Sequence, residues 1–218
     1  MNSLVEENYL KALYTLANAN GEVNVNDLSI HLSIKKPTVT SMMKKLAAKS
    51  LVHYESYKPL RLTEDGKREA ALILRKHRLT EMFLVEKMGF GWEEVHEIAE
   101  QVEHVKAPKF FEKMDELLNY PSFDPHGSPI PNSNGEIKEE KYLHLSDCAT
   151  GDTVKVKAVA HSSNEFLTFL NRREIKLGLE IYIESIESFD ASMRVKVNDE
   201  IQSLSHTVCE RLLVEKVS

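Results

Sequence analysis

Apolar positions at Leu10, Leu13, Tyr14 and Ala17 follow the i, i+3, i+4, i+7 spacing of a helix face, and Asn20-Gly21 supplies its stop. Leu28 and Leu32 behind Asn24 or Asn26 predict a short second helix. A brief turn, Ser33 to Lys36, leads to Pro37, which suits the first turn of a third helix with Val39, Met42 or Met43, and Leu46 inward. Two apolar runs, Leu51 to Tyr54 and Leu60 to Leu62, flank Ser56-Tyr57-Lys58-Pro59 and predict a hairpin. Thr63 then caps a long helix whose stripe includes Leu72, Leu79 and Phe83, with a break at Gly89 and Gly91 and further helices from Trp92 and Pro108. A Pro/Gly/Ser/Asn-rich stretch between Asn119 and Glu140 reads as a linker with ordered turns. Beyond Leu143, alternation over Thr153 to Val159, Glu180 to Ile186 and Met193 to Val197 predicts a small β-barrel, and Asn164 to Leu170 a short helix. The chain is therefore expected to be mainly α with a small β domain, divided at 1–70, 71–142 and 143–218.

Charge changes this picture locally. The net charge of −6 argues against simple coating of nucleic acid. Yet no Asp or Glu stands between Leu28 and Tyr54, while Lys35, Lys36, Lys44, Lys45 and Lys49 do. On the outer face of the third helix lie Thr38, Thr40, Ser41, Lys44 and Lys45, short hydroxyl side chains near its N-terminus with lysines behind them. A recognition helix enters the major groove N-terminus first, so donors there reach base edges while lysines hold phosphates. The candidate DNA-contacting set is Lys35, Lys36, Pro37, Thr38, Thr40, Ser41, Lys44, Lys45 and, on the hairpin or wing, Lys58. The same pattern also describes a solvated face or a protein-binding winged helix.

Composition excludes other classes. No stretch reaches the roughly 18 uncharged apolar residues of a membrane span, and the opening MNSLVEENYL carries two acids where a signal peptide needs basic then apolar residues. A cytoplasmic protein with no membrane partner is expected. Cys148 and Cys209 form neither a CxxC nor a Cys/His cluster.

The chemistry-bearing residues are nitrogen and oxygen donors at helical spacing. His77 and Glu81 are i, i+4 on one helix; His96, Glu100, Glu103 and His104 occupy the next. Antiparallel packing would let the two faces surround one or two divalent cations. A solvated surface pair and an exposed acidic face through Glu97, Glu100 and Glu103 are the plainer reading of the same spacing. A metallohydrolase would need a general base and an open position; the sequence offers neither an HExxH motif nor a plausible nucleophile, so no enzyme and no small organic substrate are expected.

Three segments together resemble the diphtheria-toxin-repressor family of iron- and manganese-dependent transcriptional repressors. They are Leu74-Arg75-Lys76-His77-Arg78-Leu79-Thr80-Glu81, the segment His96 to His104 ending Val102-Glu103-His104-Val105, and Pro125-His126-Gly127-Ser128-Pro129-Ile130-Pro131. The resemblance spans nearly the whole chain. It implies a winged helix-turn-helix, a helical dimerisation and metal-binding domain, and a C-terminal SH3-like (FeoA-like) β-barrel, acting as a homodimeric repressor on double-stranded operator DNA. It also implies that His77, Glu81 and His96 match the ligands of one metal site, and Glu100, Glu103 and His104 those of another. Iron-responsive members carry Cys at the position matching Glu100, so Glu100 favours Mn²⁺ over Fe²⁺. The donors lack thiolate and thioether groups, which agrees, although affinity alone would admit Zn²⁺ or Ni²⁺ in vitro.

Two positions depart from the family pattern. Asn8 stands where the family places an acidic or thioether ligand, and Lys11 matches an acidic position of the short manganese regulators. By the same resemblance, Asp124, His126 and, in the last domain, Glu165 are candidate auxiliary ligands. The alternative function is a winged-helix regulator whose carboxylate/His cluster is structural.

Overall fold

The first helix, α1 (Leu4–Leu16), starts where Ser3 and Glu6 satisfy each other's main chain: Ser3 Oγ accepts the Glu6 N–H and Glu6 Oε2 accepts the Ser3 N–H at 2.7 Å. It is followed by β1 (Glu22–Val23), α2 (Val25–His31) and α3 (Lys36–Ala48), then β2 (Val52–His53) and β3 (Leu60–Leu62). The computed structural model describes residues 2–138, 140–160 and 162–217. The predicted wing is present, with Val52 paired to Leu62 and His53 to Arg61. Unpredicted β1 completes a three-stranded antiparallel sheet of order β1-β3-β2. Two residues are too few to show alternation. Leu10, Leu13, Leu28, Val39, Met43, Leu46 and Leu60 are fully buried between these elements, so Met43 and not Met42 takes the central inner position of α3.

Thr63 opens α4 (Glu64–Met88) by accepting the Gly66 N–H at 3.0 Å and donating to the Ser50 carbonyl at 2.8 Å. A Cβ at position 66 would stand 2.0 Å from the Leu51 carbonyl oxygen, so only glycine lets the start of α4 lie against the wing. The buried positions of α4 include Ile73, Leu74, His77, Glu81 and Leu84, whereas Leu72 and Phe83 are half-exposed. His77 and Glu81 thus occupy core-facing positions of the helix, which removes the surface-pair reading for them. The next helix, α5 (His96–Val102), begins four residues later than expected. Gly91 and Glu94 close a turn first, through Glu94 N–H to the Gly91 carbonyl at 3.0 Å and Gly91 N–H to the Glu94 carboxylate at 2.8 Å. Pro108 opens α6 (Pro108–Leu117).

The chain forms two compact units: Met1–Thr80 with Ala99–Ser122 and Ile130–Lys138, and Glu81–Ile98 with Phe123–Pro129 and Glu139–Ser218. In the second, β4 (Leu143–His144), β5 (Thr153–Val159), β6 (Glu180–Ile186), β7 (Met193–Val197), β8 (Glu200–Leu204) and β9 (Leu212–Lys216) make an antiparallel sheet of order β4-β9-β5-β6-β7-β8. Helices α7 (Asn164–Arg172) and α8 (His206–Cys209) accompany it, and Val154, Val156, Leu170, Ile181, Ile183, Val195, Leu212 and Val214 are fully buried in its core. This SH3-like sheet is bent by irregularities at Val156/Ala158 and Ile183/Ser185, but it is not the closed barrel expected. Among the described residues no pairing joins β4 to β8, and these two strands stand at opposite edges of the sheet.

The loop Phe123–Pro129 docks on this sheet through the Val159 N–H, which donates to the His126 carbonyl at 2.9 Å. Gly127 has φ +86°, and a Cβ there would stand 2.2 Å from the Lys157 carbonyl oxygen. The glycine is required twice over, for its left-handed backbone and for the closeness of β5.

Candidate metal centres and nucleic-acid interface

In the first unit, α1, α4 and the end of α5 converge on Glu103, whose side chain is fully buried. His77 Nδ1 lies 2.6 Å from Glu103 Oε2 and 3.8 Å from Glu100 Oε1. Lys11 Nζ, from α1, lies 2.5 Å from Glu100 Oε1 and 2.8 Å from each Glu103 oxygen, hydrogen-bonding Oε2. His104 follows Glu103, and its Nδ1 is 2.7 Å from Glu7 Oε2 while its Nε2 is 3.5 Å from Glu103 Oε1. An Nδ1–H donated to Glu7 leaves the Nε2 lone pair for a cation, the arrangement in which a carboxylate orients a metal-binding imidazole.

Among the described residues, the buried side-chain atoms of this unit without a hydrogen-bond partner include Asn8 Oδ1, His104 Nε2 and Glu103 Oε1, the last in ion-pair contact with Lys11. Orphaned buried acceptors cost roughly 1–3 kcal/mol each, and a divalent ion coordinated by oxygen and imidazole nitrogen would satisfy them. The residues present therefore fit a metal of the hard-to-intermediate class. Glu7 is a participant that the sequence reading does not include. Its signal is its place on α1, one turn before Lys11 and beside Asn8, a polar face on a helix that is buried at Tyr9, Leu10, Ala12 and Leu13.

The second unit holds a separate cluster. Glu81, Asp124 and His126 are all buried and present donor atoms within 4.8 Å of one another. Asp124 Oδ1 accepts the N–H groups of His126 at 2.8 Å and Ser128 at 2.9 Å, so the carboxylate shapes the loop that carries it. His126 Nε2 is 2.9 Å from the Trp92 carbonyl, and the ring stacks on Trp92 with centroids 6.0 Å apart. Its Nδ1 then faces Glu81 Oε2 at 3.7 Å and Asp124 Oδ1 at 3.9 Å. Burial pushes the His126 imidazole towards its neutral form, but the hydrogen bond and charge of Glu81, then Asp124 and the Trp92 carbonyl, prevail and raise its pKa. The pocket favours a cation. His96, with its imidazole 56% exposed, places Nδ1 3.3 Å from Glu81 Oε1.

Of the other candidates, Glu97 is exposed and belongs to neither cluster, whereas Glu100 is half-buried. Glu165 is exposed in the first turn of α7, where hydrogen bonds from its own main chain and from Ser163 lower its pKa. Among the described residues it lies outside the donor clusters.

On α3, Lys35, Lys36, Pro37, Thr38, Ser41, Lys44 and Lys45 are exposed and Thr40 is half-buried, opposite buried Val39, Met43 and Leu46. Lys58 is exposed on the wing beside Tyr57 and pairs with Glu55 at 2.5 Å. Lys49 and Lys45 approach Glu6 Oε1 at 2.7 and 3.3 Å. Consecutive residues of α1 thus face the recognition helix, through Glu6, and the cation cluster, through Glu7.

Residues 2–60 match the model of the iron-dependent repressor N-terminal DNA-binding domain, residues 63–132 that of its metal-binding and dimerisation domain, and residues 143–216 that of the FeoA domain. The chain belongs to the diphtheria-toxin-repressor family. It is similar to the iron-dependent repressor IdeR of Mycobacterium leprae (strain TN), 26% identical over 231 residues covering 100% of both chains. It resembles the solved manganese-dependent transcriptional repressor in complex with manganese at TM-score 0.87 and 27% identity, over 97% of this chain and 100% of that one. ScaR with bound Cd²⁺ is similar at TM-score 0.80 and 33% identity, over 97% and 99% of the two chains. Family membership makes the chain a metal-dependent, DNA-binding transcriptional repressor and not an enzyme, which removes the metallohydrolase alternative. Its effector is a divalent metal ion. Among the described residues no helix is long and apolar enough to cross a membrane.

Proposed function

We propose that the chain acts in the cytoplasm as a homodimer on double-stranded operator DNA, repressing metal-homeostasis genes when Mn²⁺ or Fe²⁺ is abundant. Mn²⁺ is favoured, because Glu100 offers a carboxylate where a thiolate would favour iron. In this reading residues 1–70 bind DNA, 71–142 dimerise and bind metal, and 143–218 form the FeoA-like domain. The DNA-contacting set is Lys35, Lys36, Pro37, Thr38, Thr40, Ser41, Lys44, Lys45 and Lys58. A two-fold dimer would set two α3 helices about 34 Å apart, matching successive major grooves.

The ligands we assign are Glu100, Glu103 and His104 with Asn8 for one ion, and Glu81, His96 and His126 with Asp124 for another. The carrying observation is α1: Glu6 meets Lys49 and Lys45 of the recognition helix and its C-terminal cap, and Glu7 orients His104. An ion held by Glu103 and His104 would fix α1 and so favour one placement of α3. Binding confined to that state stabilises it by about 2.7 kcal/mol at a hundredfold excess of metal over Kd. The test is operator binding by the Glu103→Ala and His104→Ala chains, checked to be folded and dimeric. Loss of metal-dependent binding is expected, and undiminished binding in both would refute the mechanism.

One observation favours a second reading: the Lys11 ammonium already pairs with both Glu100 and Glu103. On that reading the first cluster is structural, and chelation leaves operator affinity unchanged.

A further inference from the structure

The Lys11 ammonium lies inside the first cluster, with only 14% of its side chain exposed, touching the two carboxylates that any pair of metal ions there would have to share. Glu7, Glu100 and Glu103 bring three negative charges and Lys11 one positive. With neutral imidazoles, one divalent ion completes the neutralisation. Lys76 Nζ, 3.0 Å from the Glu103 main-chain carbonyl, adds further positive charge. A second divalent ion would meet an uncompensated excess, a few ångström from an ammonium, in a site with little water to screen it.

We propose that Lys11 is a tethered cation that permanently holds one of two cation positions in this cluster, so that the cluster takes a single divalent ion on the side of Glu103 Oε1 and His104 Nε2. The placement of the orphaned atoms agrees. The ammonium hydrogen-bonds Glu103 Oε2 and Glu100 Oε1 and lies 2.8 Å from Glu103 Oε1 as an ion pair, while His104 Nε2, 3.5 Å from that same oxygen, and Asn8 Oδ1 have no hydrogen-bond partner. One carboxylate would thereby be shared between a built-in cation and an exchangeable one. This inference rests on the metal-binding reading above and specifies its stoichiometry.

The consequence is a single-ion response at this cluster. Replacing Lys11 by Glu would exchange the ammonium for a fourth carboxylate, and four carboxylates balance two divalent ions. Lys11→Arg would keep the positive charge and the single ion. Lys11→Gln, neutral and of similar reach, would admit a second ion only at higher metal concentration.

The test counts Mn²⁺ per protomer in the full chain carrying Glu81→Gln, His96→Ala and His126→Ala, which remove the donors of the second unit's cluster, by equilibrium dialysis and electron paramagnetic resonance. About one magnetically isolated Mn²⁺ is expected with Lys11 in place or with Lys11→Arg, and about two, magnetically coupled, with Lys11→Glu. Two coupled ions in the presence of Lys11, or a single ion in Lys11→Glu, would overturn the proposal. No Mn²⁺ at all with Lys11 present would instead overturn the metal-binding reading beneath it. Should that background fail to fold, the coupling signal is read in the otherwise unaltered chain, where its absence with Lys11 and appearance with Lys11→Glu carry the same meaning.

Discussion

The two donor clusters differ in what holds them together without metal. The first, around Glu103, is built on helices and contains its own cation, Lys11, together with orphaned acceptors. The second, around Glu81, Asp124 and His126, hangs on a tight loop, and its positive partner is an imidazole whose pKa is raised by the carboxylates beside it. A cluster with a tethered ammonium keeps part of its carboxylate charge compensated at any metal level; a cluster that holds a raised-pKa imidazole against its carboxylates would exchange that group's proton for metal. The first is accordingly the place to look for a link to α3 through α1, and the second for a link between metal and the sheet domain's loop.

The largest effect should come from Glu103→Ala. It leaves the Lys11 ammonium and His77 buried without their shared carboxylate, and breaking a buried pair by removing one partner costs about 3–5 kcal/mol. Denaturant unfolding of metal-free protein would show it, and a change below about 1 kcal/mol would mean that the ammonium simply moves into solvent.

Gly127→Ala comes next. It meets both a positive φ and the Lys157 carbonyl, so a loss of about 2–3 kcal/mol is expected. Weakened Mn²⁺ binding by Glu81, Asp124 and His126 should accompany it, with binding by Glu103 and His104 unchanged. Equal weakening of both would erase the distinction between the clusters.

Glu7→Gln should weaken metal binding at the first cluster about tenfold, the usual consequence of losing an orienting carboxylate behind a metal-binding imidazole. Isothermal titration of the full chain measures it, and the second cluster serves as internal control.

The smallest effect concerns acid stability. The hydrogen bond from Lys49, followed by that from the Ser3 main chain, holds Glu6 down to about 2 from its ordinary 4.5. A depressed carboxylate stabilises the fold above its unfolded pKa, so this contribution is complete above pH 4.5 and disappears as pH falls towards 2. Because Lys45 and Lys49 are substantially exposed, we expect only about 1–2 kcal/mol. Glu6→Gln should flatten the decline in unfolding free energy across that window, and an unchanged slope would assign the decline to other groups.

Much of this is legible in the chain. Strong helical periodicity locates α1, α3 and α4, and period-two alternation gives β5, β6 and β7 with the bounds observed. The late start of α5 is hidden because the Gly91 turn borrows a Glu94 side chain, a tertiary detail that helix propensity does not encode. β4 and β1 are hidden by their length, and the open sheet by the absence of any sequence signal for strand closure.

Site legibility divides the same way. His77, Glu81, Glu100, Glu103 and His104 stand out because helical spacing puts donors on one face. Glu7 does not, because its partner is 97 residues away, and Lys11 reads only as a departure from pattern. That the missing cation is supplied by the side chain itself follows from its contacts with Glu100 and Glu103.

The most direct measurement is the affinity of chelator-stripped full-length protein for a duplex of its own upstream region, titrated anaerobically with Mn²⁺ and then Fe²⁺ at fixed salt, since phosphate contacts make affinity salt-dependent. We expect binding to tighten by about a hundredfold on metal saturation, with Mn²⁺ half-saturating at the lower free concentration. The same affinity before and after metal would contradict a metal-driven switch and leave both clusters as structural features of the fold.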